Sequence, residues 1–504
     1  MPLPKPLNKP TGVIMVQGTG SDVGKSLLVA GLCRVFANQG LNVRPFKPQN
    51  MSNNAAVTLE GGEIGRAQAL QALAARTPPT LHMNPVLLKP ETDLGAQVVV
   101  QGKVLTRAKA RDYYALKSSL MPKVMESFNV LKKQADIIVV EGAGSPAEIN
   151  LRSADIANMG FAEAASCPVV IVADIDRGGV IASLVGTHAL ISQAEKNRIK
   201  GYIINKFRGD ASLFDGAIDI IHDHTAWSSL GVVPFFKDAG KLPAEDAMSL
   251  DGFSRGGKEC LPKNGQIKIV VPRLPRIANF DDLDPLAAET GVAIELVACG
   301  RPLPADADVI LLPGSKATLS DLDALRQEGW DIDILSHHRR GGVVIGLCGG
   351  YQMLGQKISD PDGVEGSPRT LPGLGILDVE TVLGGDKTVI LSSGQDVASK
   401  HNVSGYEIHM GTTTGPDTGH PWLMMTGNKP EGAKSKNNQV MGCYLHGLFQ
   451  SDQFRQHFLQ SLGMKTRVSV NYRQQVDTTL DELSHHLETH LNIDRLHEIA
   501  FTQG

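Results

Sequence analysis

At 504 residues the chain is too long for one hydrophobic core, which excludes a single small module and sets an expectation of about two to four domains. Apolar residues make up 42% and charged residues 20%, an ordinary globular balance that excludes a disordered, collagen-like or coiled-coil chain. Lysine and arginine total 49 against 53 acids, a formal charge of −4, so no whole-protein field exists to hold nucleic acid or an anionic membrane, and any anion site must be local.

The six cysteines (Cys33, Cys167, Cys260, Cys299, Cys348, Cys443) stand far apart with no CxxC pair, so neither a disulfide framework nor a zinc knuckle is expected. The N-terminal MPLPKPLNKPTG lacks an apolar signal core, and apolar runs such as 168–173 fall short of the ~20 residues a bilayer span needs. A soluble protein of the reducing cytoplasm is the expectation.

Over 12–236, short β-branched runs alternate with helix-like stretches: VIMVQG (13–18), LNVRPFK (41–47), DIIVVEG (136–142), CPVVIVADI (167–175) and KGYIINKF (200–207). Near-continuous apolar runs ending in Gly, Asp or Asn read as strands of a parallel sheet buried on both faces, hence an α/β layered domain. The first run leads into GTGSDVGKS (18–26) and then a helical stretch. Such a loop turns backbone N–H groups toward phosphate oxygens, the helix start adds partial positive charge, Lys25 reaches the terminal phosphates and the Ser26 hydroxyl can ligate Mg2+. The pattern GxxxxGK[ST] is broken only at its first position, Thr19, with Gly18 one residue earlier; Thr19, Gly20, Val23, Gly24, Lys25 and Ser26 are the candidate ATP contacts.

EGAGSPAEINL (141–151) follows another strand, and Glu141 is the candidate second metal ligand, because Mg2+ takes one or two carboxylates beside phosphate oxygens. The bland alternative is an acid that caps a turn. Asp155 is either a group that orients substrate or a second water, or an ordinary N-cap. Gln68, Asn84 and Lys89 read equally as substrate contacts or as local structure.

Between 237 and 265 this rhythm gives way to Gly, Pro, Lys and acids, read as a linker. A second α/β domain is expected over 266–462, with strands at IKIVV (267–271), VAIELV (292–297), DVILLPGS (308–315) and GGVVIGLCGG (341–350), and more near 374–379, 403–408 and 440–445. Within it Cys348 falls on a tight strand-to-helix turn of the kind that exposes a nucleophile, and the following helix favours thiolate. The N–H of Gly349 and a second donor from the PGS turn, Gly314, are the candidate oxyanion hole, and His446 in YLHGLF is the candidate general base. Residues 463–504 form a helical tail whose Leu and Ile spacing is that of an amphipathic helix packed on the body; its histidines read as solvated faces.

GTGSDVGKS and EGAG resemble the dethiobiotin-synthetase-like ATPases. That resemblance implies that Lys47 in FKPQN stabilises the transferring phosphoryl group, that Asn205 in INKFRGD lies on the adenine side, and that a substrate carboxylate is activated as an acyl phosphate. The Cys348 half resembles class I glutamine amidotransferases, which implies a thioester intermediate and release of ammonia. In that family the histidine is followed two residues later by Glu, whereas His446 is followed by Gly447 and Leu448. This leaves either a Cys-His dyad or another acid, for which Glu407 in GYEIHMG is a candidate.

Taken together, FKPQNMSNNA, MNPVLLKP, VADIDRGGV, LPGSKAT and the motifs above resemble the glutamine-hydrolysing amidoligases of cobalamin biosynthesis over about residues 12–460. The resemblance implies ATP-, Mg2+- and glutamine-dependent amidation of the b, d, e and g carboxylates of adenosylcobyrinic acid a,c-diamide, giving adenosylcobyric acid. The runner-up, cobyrinic acid a,c-diamide synthase, usually carries an Asp in a GPDY-like stretch where this chain has FKPQN. CTP synthase is disfavoured by the missing HPE sequence. A ParA-like ATPase scaffold would carry a lysine where Thr19 stands and would have no use for Cys348 with His446.

Overall fold

Runs of Val and Ile without polar alternation are stable only when both faces are covered. In the computed structural model, which describes residues 10–91, 95–243, 266–464 and 470–502, these runs build the centres of two separate units. The first takes its described residues from Met1–Ser52, Gly62–Leu242 and Val476–Gly504, the second from Asn53–Gly61 and Pro243–Gln475. Both are α/β.

The first unit contains β1 (Gly12–Gly18), β2 (Val43–Phe46), β3 (Ile137–Glu141), β4 (Val169–Asp174), β5 (Ile199–Phe207) and β6 (Ser229–Pro234). They form one parallel sheet in the order β6-β5-β4-β1-β3-β2. Register sets Val16 opposite Glu141 and Gly18 opposite Val172, so the carboxyl ends of β1, β3 and β4 lie level, where parallel α/β sheets bind ligands. Gln49–Met51, Val86–Pro90, Gly95–Val100 and Lys103–Lys109 add a small second sheet. Its outermost strand is almost wholly exposed, so it left no apolar run in the sequence.

The C-terminal segment packs on the helix Lys25–Asn38, which follows the glycine-rich loop. A Cβ built on Gly31 would lie 2.4 Å from Leu487 Cδ1, so the two helices meet at a residue without a side chain. Beside this contact the buried Arg34 donates to Asp477 (2.6 Å) and Asp481 (3.2 Å). The Phe501 ring covers Gly12 at the start of β1.

The second unit contains β7 (Ile267–Pro272), β8 (Val292–Val297), β9 (Val309–Leu312), β10 (Val343–Leu347), β11 (Ala433–Lys434) and β12 (Val440–Cys443), in the order β8-β7-β9-β10-β12-β11. All pairs are parallel except β11 with β12. Two further four-stranded sheets, one of them containing Asn402–His409, lie outside this core sheet. No strand forms at 374–379. The backbone N–H groups of Leu374, Ile376 and Leu377 instead go to Met353 and Leu354, the carbonyls left open where the helix Gly349–Leu354 ends, while Leu374, Leu377 and Val379 fill the core. That burial is what made the segment resemble a strand.

Lys237–Lys241 forms a short 3-10 turn, and the remainder of the expected linker from 244 to 265 lies outside the described residues. Among the described residues no helix is long and apolar enough to cross a membrane. Leu487→Ala is expected to cost about 2–5 kcal/mol locally, as buried Leu truncations do. The readout is faster amide exchange in the helix Lys25–Asn38, and unchanged protection there would contradict the packing.

Candidate active sites

The loop after β1 leads into the helix Lys25–Asn38 through Gly24, whose φ of +93° is a conformation that favours glycine. Lys25 Nζ donates to the Gly20 carbonyl (2.8 Å) and to that of Gly144 (3.2 Å), tying the loop to the EGAG turn after β3. Glu141, only 1% exposed, is the centre of a cluster. Its Oε1 accepts from Ser26 Oγ at 2.6 Å and from Lys47 Nζ at 2.7 Å, and its Oε2 from Gln71 Nε2 at 2.6 Å.

A hydroxyl and a carboxylate form an oxygen-only donor pair that fits a hard divalent cation, and the Lys47 ammonium already supplies a positive charge at that carboxylate. Among the described residues no group of three or more metal-ligating side chains is assembled, so phosphate oxygens and water would fill the rest of such an ion's shell.

The other sequence candidates have different surroundings. Asn205 Nδ2 donates to the Val23 carbonyl (2.8 Å), which holds the loop. Asp155 accepts from the backbone N–H groups of Ala157, Asn158 and Gly160, which holds the turn ahead of the helix Met159–Ala164, whose N-cap is Asn158. Asn84 bridges Gly65, Lys47 and Val86 backbone groups, and Lys89 makes a buried 2.5 Å ion pair with Glu63. Thr19 N–H donates to the Val172 carbonyl.

In the second unit, Cys348 stands between β10 and the helix Gly349–Leu354 with φ +51° and ψ −109°, a strained conformation for a residue with a Cβ. It is buried, and its Sγ donates to the Ile408 carbonyl at 3.4 Å. A Cβ on Gly314 would lie 3.0 Å from His446 Cε1, and one on Gly349 would lie 2.9 Å from the Ser315 nitrogen. The PGS turn after β9, the elbow after β10 and the imidazole after β12 therefore meet with no room for further side chains.

His446 is fully buried. Its Nδ1–H donates to Asp282 Oδ2 at 2.7 Å, and Gly447 N–H donates to Asp282 Oδ1 at 2.5 Å. The Tyr406 ring stacks on the imidazole with centroids 5.2 Å apart, and the two residues exchange backbone hydrogen bonds. His446 Nε2 makes no hydrogen bond among the described residues. Burial by itself would lower the imidazole pKa, but the charge and hydrogen bond of Asp282, with a contribution from Cys348, push it up to about 10.

The orienting acid is thus Asp282, and the expectation for Glu407 is corrected. On a strand alternate residues face opposite sides, so with Tyr406 against His446 its neighbour turns away; Glu407 accepts from Ser392 Oγ at 2.5 Å and lies 3.6 Å from His409. Asp282 went unnoticed because ANFDDLDPL carries no recognisable motif. The available signal was its place in the segment that follows the first parallel strand of this unit.

Comparisons with known proteins agree with this division. Residues 14–250 match the family model described as "CobQ/CobB/MinD/ParA nucleotide binding domain", and residues 268–454 match "CobB/CobQ-like glutamine amidotransferase domain". Among curated relatives, "Cobyric acid synthase" of Methylorubrum populi is 56% identical over 486 residues, covering 96% of this chain and 98% of that protein. The protein of the same name from Ruegeria sp. is 58% identical with the same coverage, and that of Rhizobium meliloti is 57% identical over 482 residues.

The protonation of His446 is linked to stability. Its folded pKa lies above the ordinary 6.5, so the stability that the imidazolium contributes is complete below about 6.5 and is lost as pH rises through about 10. Asp282→Asn is expected to bring the His446 titration well down from about 10, since the charge that offsets burial is removed, and to slow glutamine hydrolysis roughly 10²- to 10⁴-fold, the usual worth of a positioned acid–base group. An imidazole NMR signal of the variant that still titrates near 10 would contradict the assignment.

Proposed function

Because the chain belongs to the cobyric acid synthase family, we propose that its two sites divide a single amidation, one releasing ammonia from glutamine and the other activating a corrinoid carboxylate with ATP. The supporting observation is the presence in one chain of the Cys348 elbow with a charged His446 and of the buried Ser26–Glu141–Lys47 cluster beside a phosphate loop. The substrate read from the family resemblance is adenosylcobyrinic acid a,c-diamide, with amides formed at its b, d, e and g side chains.

At the glutaminase site the raised His446 pKa keeps a proton on the imidazole near neutral pH, ready for a leaving group. Cys348 Sγ attacks the side-chain amide carbon, and the N–H groups of Gly349 and Gly314 receive the developing oxyanion. As the C–N bond breaks, the proton on His446 Nε2 leaves with ammonia. A thioester remains; water attacks its carbon as His446 takes the water's proton, the C–S bond breaks, and glutamate leaves with Cys348 Sγ and the protonated His446 restored. Asp282 holds Nδ1–H throughout and acts as a positioning residue.

At the other site an oxygen of the substrate carboxylate attacks the γ-phosphorus of ATP, ADP departs, and ammonia then displaces phosphate from the acyl carbon. Catalysis here is mostly positioning and charge neutralisation, supplied by the loop amides, Lys25 and Lys47. Mg2+ held by Ser26 and Glu141 would screen the phosphate charge. With Glu141 so engaged, Lys47 would turn to the transferring phosphoryl group.

Cys348→Ala is expected to abolish glutamine-dependent amidation yet retain amidation driven by ammonium salts; loss of both would contradict separate sites. Lys25→Ala is expected to stop phosphate release from ATP with either nitrogen source, and continued release with ammonium would contradict its role.

A further inference from the structure

The helix Arg66–Ala74 carries two fully buried glutamines three residues apart, Gln68 and Gln71, on the face turned to Glu141. Gln71 Nε2 donates to Glu141 Oε2 at 2.6 Å and to the Ser26 carbonyl at 3.3 Å. Gln68 Nε2 is a weaker second donor at 3.5 Å, and its own Oε1 is held by Asn50 Nδ2 at 2.9 Å.

Both partners of the Gln71 amide are acceptors, so chemistry fixes which end faces them: only the nitrogen can. The other end, Oε1, is then a buried acceptor with no hydrogen bond among the described residues. Amide N and O are about 2.2 Å apart, which keeps Oε1 within about 5 Å of the carboxylate that Nε2 holds. A buried amide oxygen without a donor is costly, and a donor present only in the loaded site would offset that cost.

We propose that Gln71 is a positioning residue of the phosphoryl-transfer site, whose Nε2 fixes the Glu141 carboxylate and whose Oε1 accepts a hydrogen bond from a water in the shell of the divalent cation held by Glu141 and Ser26. The inference rests on the reading of Glu141 and Ser26 as the cation's ligands. It extends that reading to a side chain with no place in the phosphate-loop motif. Outer-shell groups of this kind typically tune metal affinity about 10- to 100-fold.

The test is Mn2+ binding to the full chain in the presence of a non-hydrolysable ATP analogue, followed by electron paramagnetic resonance, with ammonium-driven amidation measured in parallel. Gln71→Met, nearly isosteric but unable to hydrogen-bond in this way, is expected to weaken Mn2+ about tenfold or more and to lower kcat more than it raises KM for the corrinoid. Mn2+ affinity within about twofold of the parent would overturn the proposal. If Gln71→Met does not fold, Gln71→Glu decides: it retains the size and an acceptor but loses the donor to Glu141. A change of about tenfold in either direction supports the role, and affinity within about twofold overturns it. Glu141→Gln separates the cation site from the role of Gln71. If it leaves Mn2+ binding unchanged, the cation reading itself fails; if it weakens binding while the Gln71 variants do not, only the role of Gln71 fails.

Discussion

A carboxylate removed from water must be matched by donors and positive charge or it costs several kcal/mol, and each site in this chain is organised around one such group. Glu141 gathers a hydroxyl, an ammonium and an amide within 2.7 Å, and that gathering brings the ends of β1, β2 and β3 and the helix Arg66–Ala74 to one point. Asp282 does the same in the second unit. Its two oxygens take the Nδ1–H of His446 and the next backbone N–H, so they fix both the ring and the turn that carries it.

The two carboxylates act in opposite senses on their neighbours. Asp282 is matched by a single titratable partner, and its charge is expressed as a histidine that keeps its proton well above neutral pH. Glu141 is matched by the Lys47 ammonium and by the neutral donors Ser26 and Gln71. Glu141 ends a parallel strand and Asp282 lies in the segment that follows one, while the phosphate loop, the PGS turn, Cys348 and His446 come directly after strand ends. Parallel pairing leaves loop N–H groups and side chains converging there, and the chemistry follows the architecture.

What could be read from the sequence was whatever chemistry is local along the chain. The phosphate loop, the cysteine elbow and the buried strands each need residue types at fixed short spacing, so they were legible, as was the tail's amphipathic spacing. The acid for His446 was not, because its contact spans 164 residues. The nearer acid in GYEIHMG attracted the assignment, and strand alternation sends it the wrong way. The segment 374–379 misled for a related reason: burial gave it a strand-like composition, while its N–H groups were committed to the end of a helix. Gln71 was overlooked because an amide in an alanine-rich helix carries no signal until the carboxylate facing it is known.

The central claim, that one chain couples glutamine hydrolysis to carboxylate activation on a corrinoid, is tested most directly by product mass. The enzyme is supplied with ATP, Mg2+, glutamine labelled with 15N at the side-chain amide, and adenosylcobyrinic acid a,c-diamide. The account predicts four successive amide increments, each carrying the label. No gain on the diamide, with amidation only of the unamidated cobyrinic acid, would contradict it and favour cobyrinic acid a,c-diamide synthase chemistry.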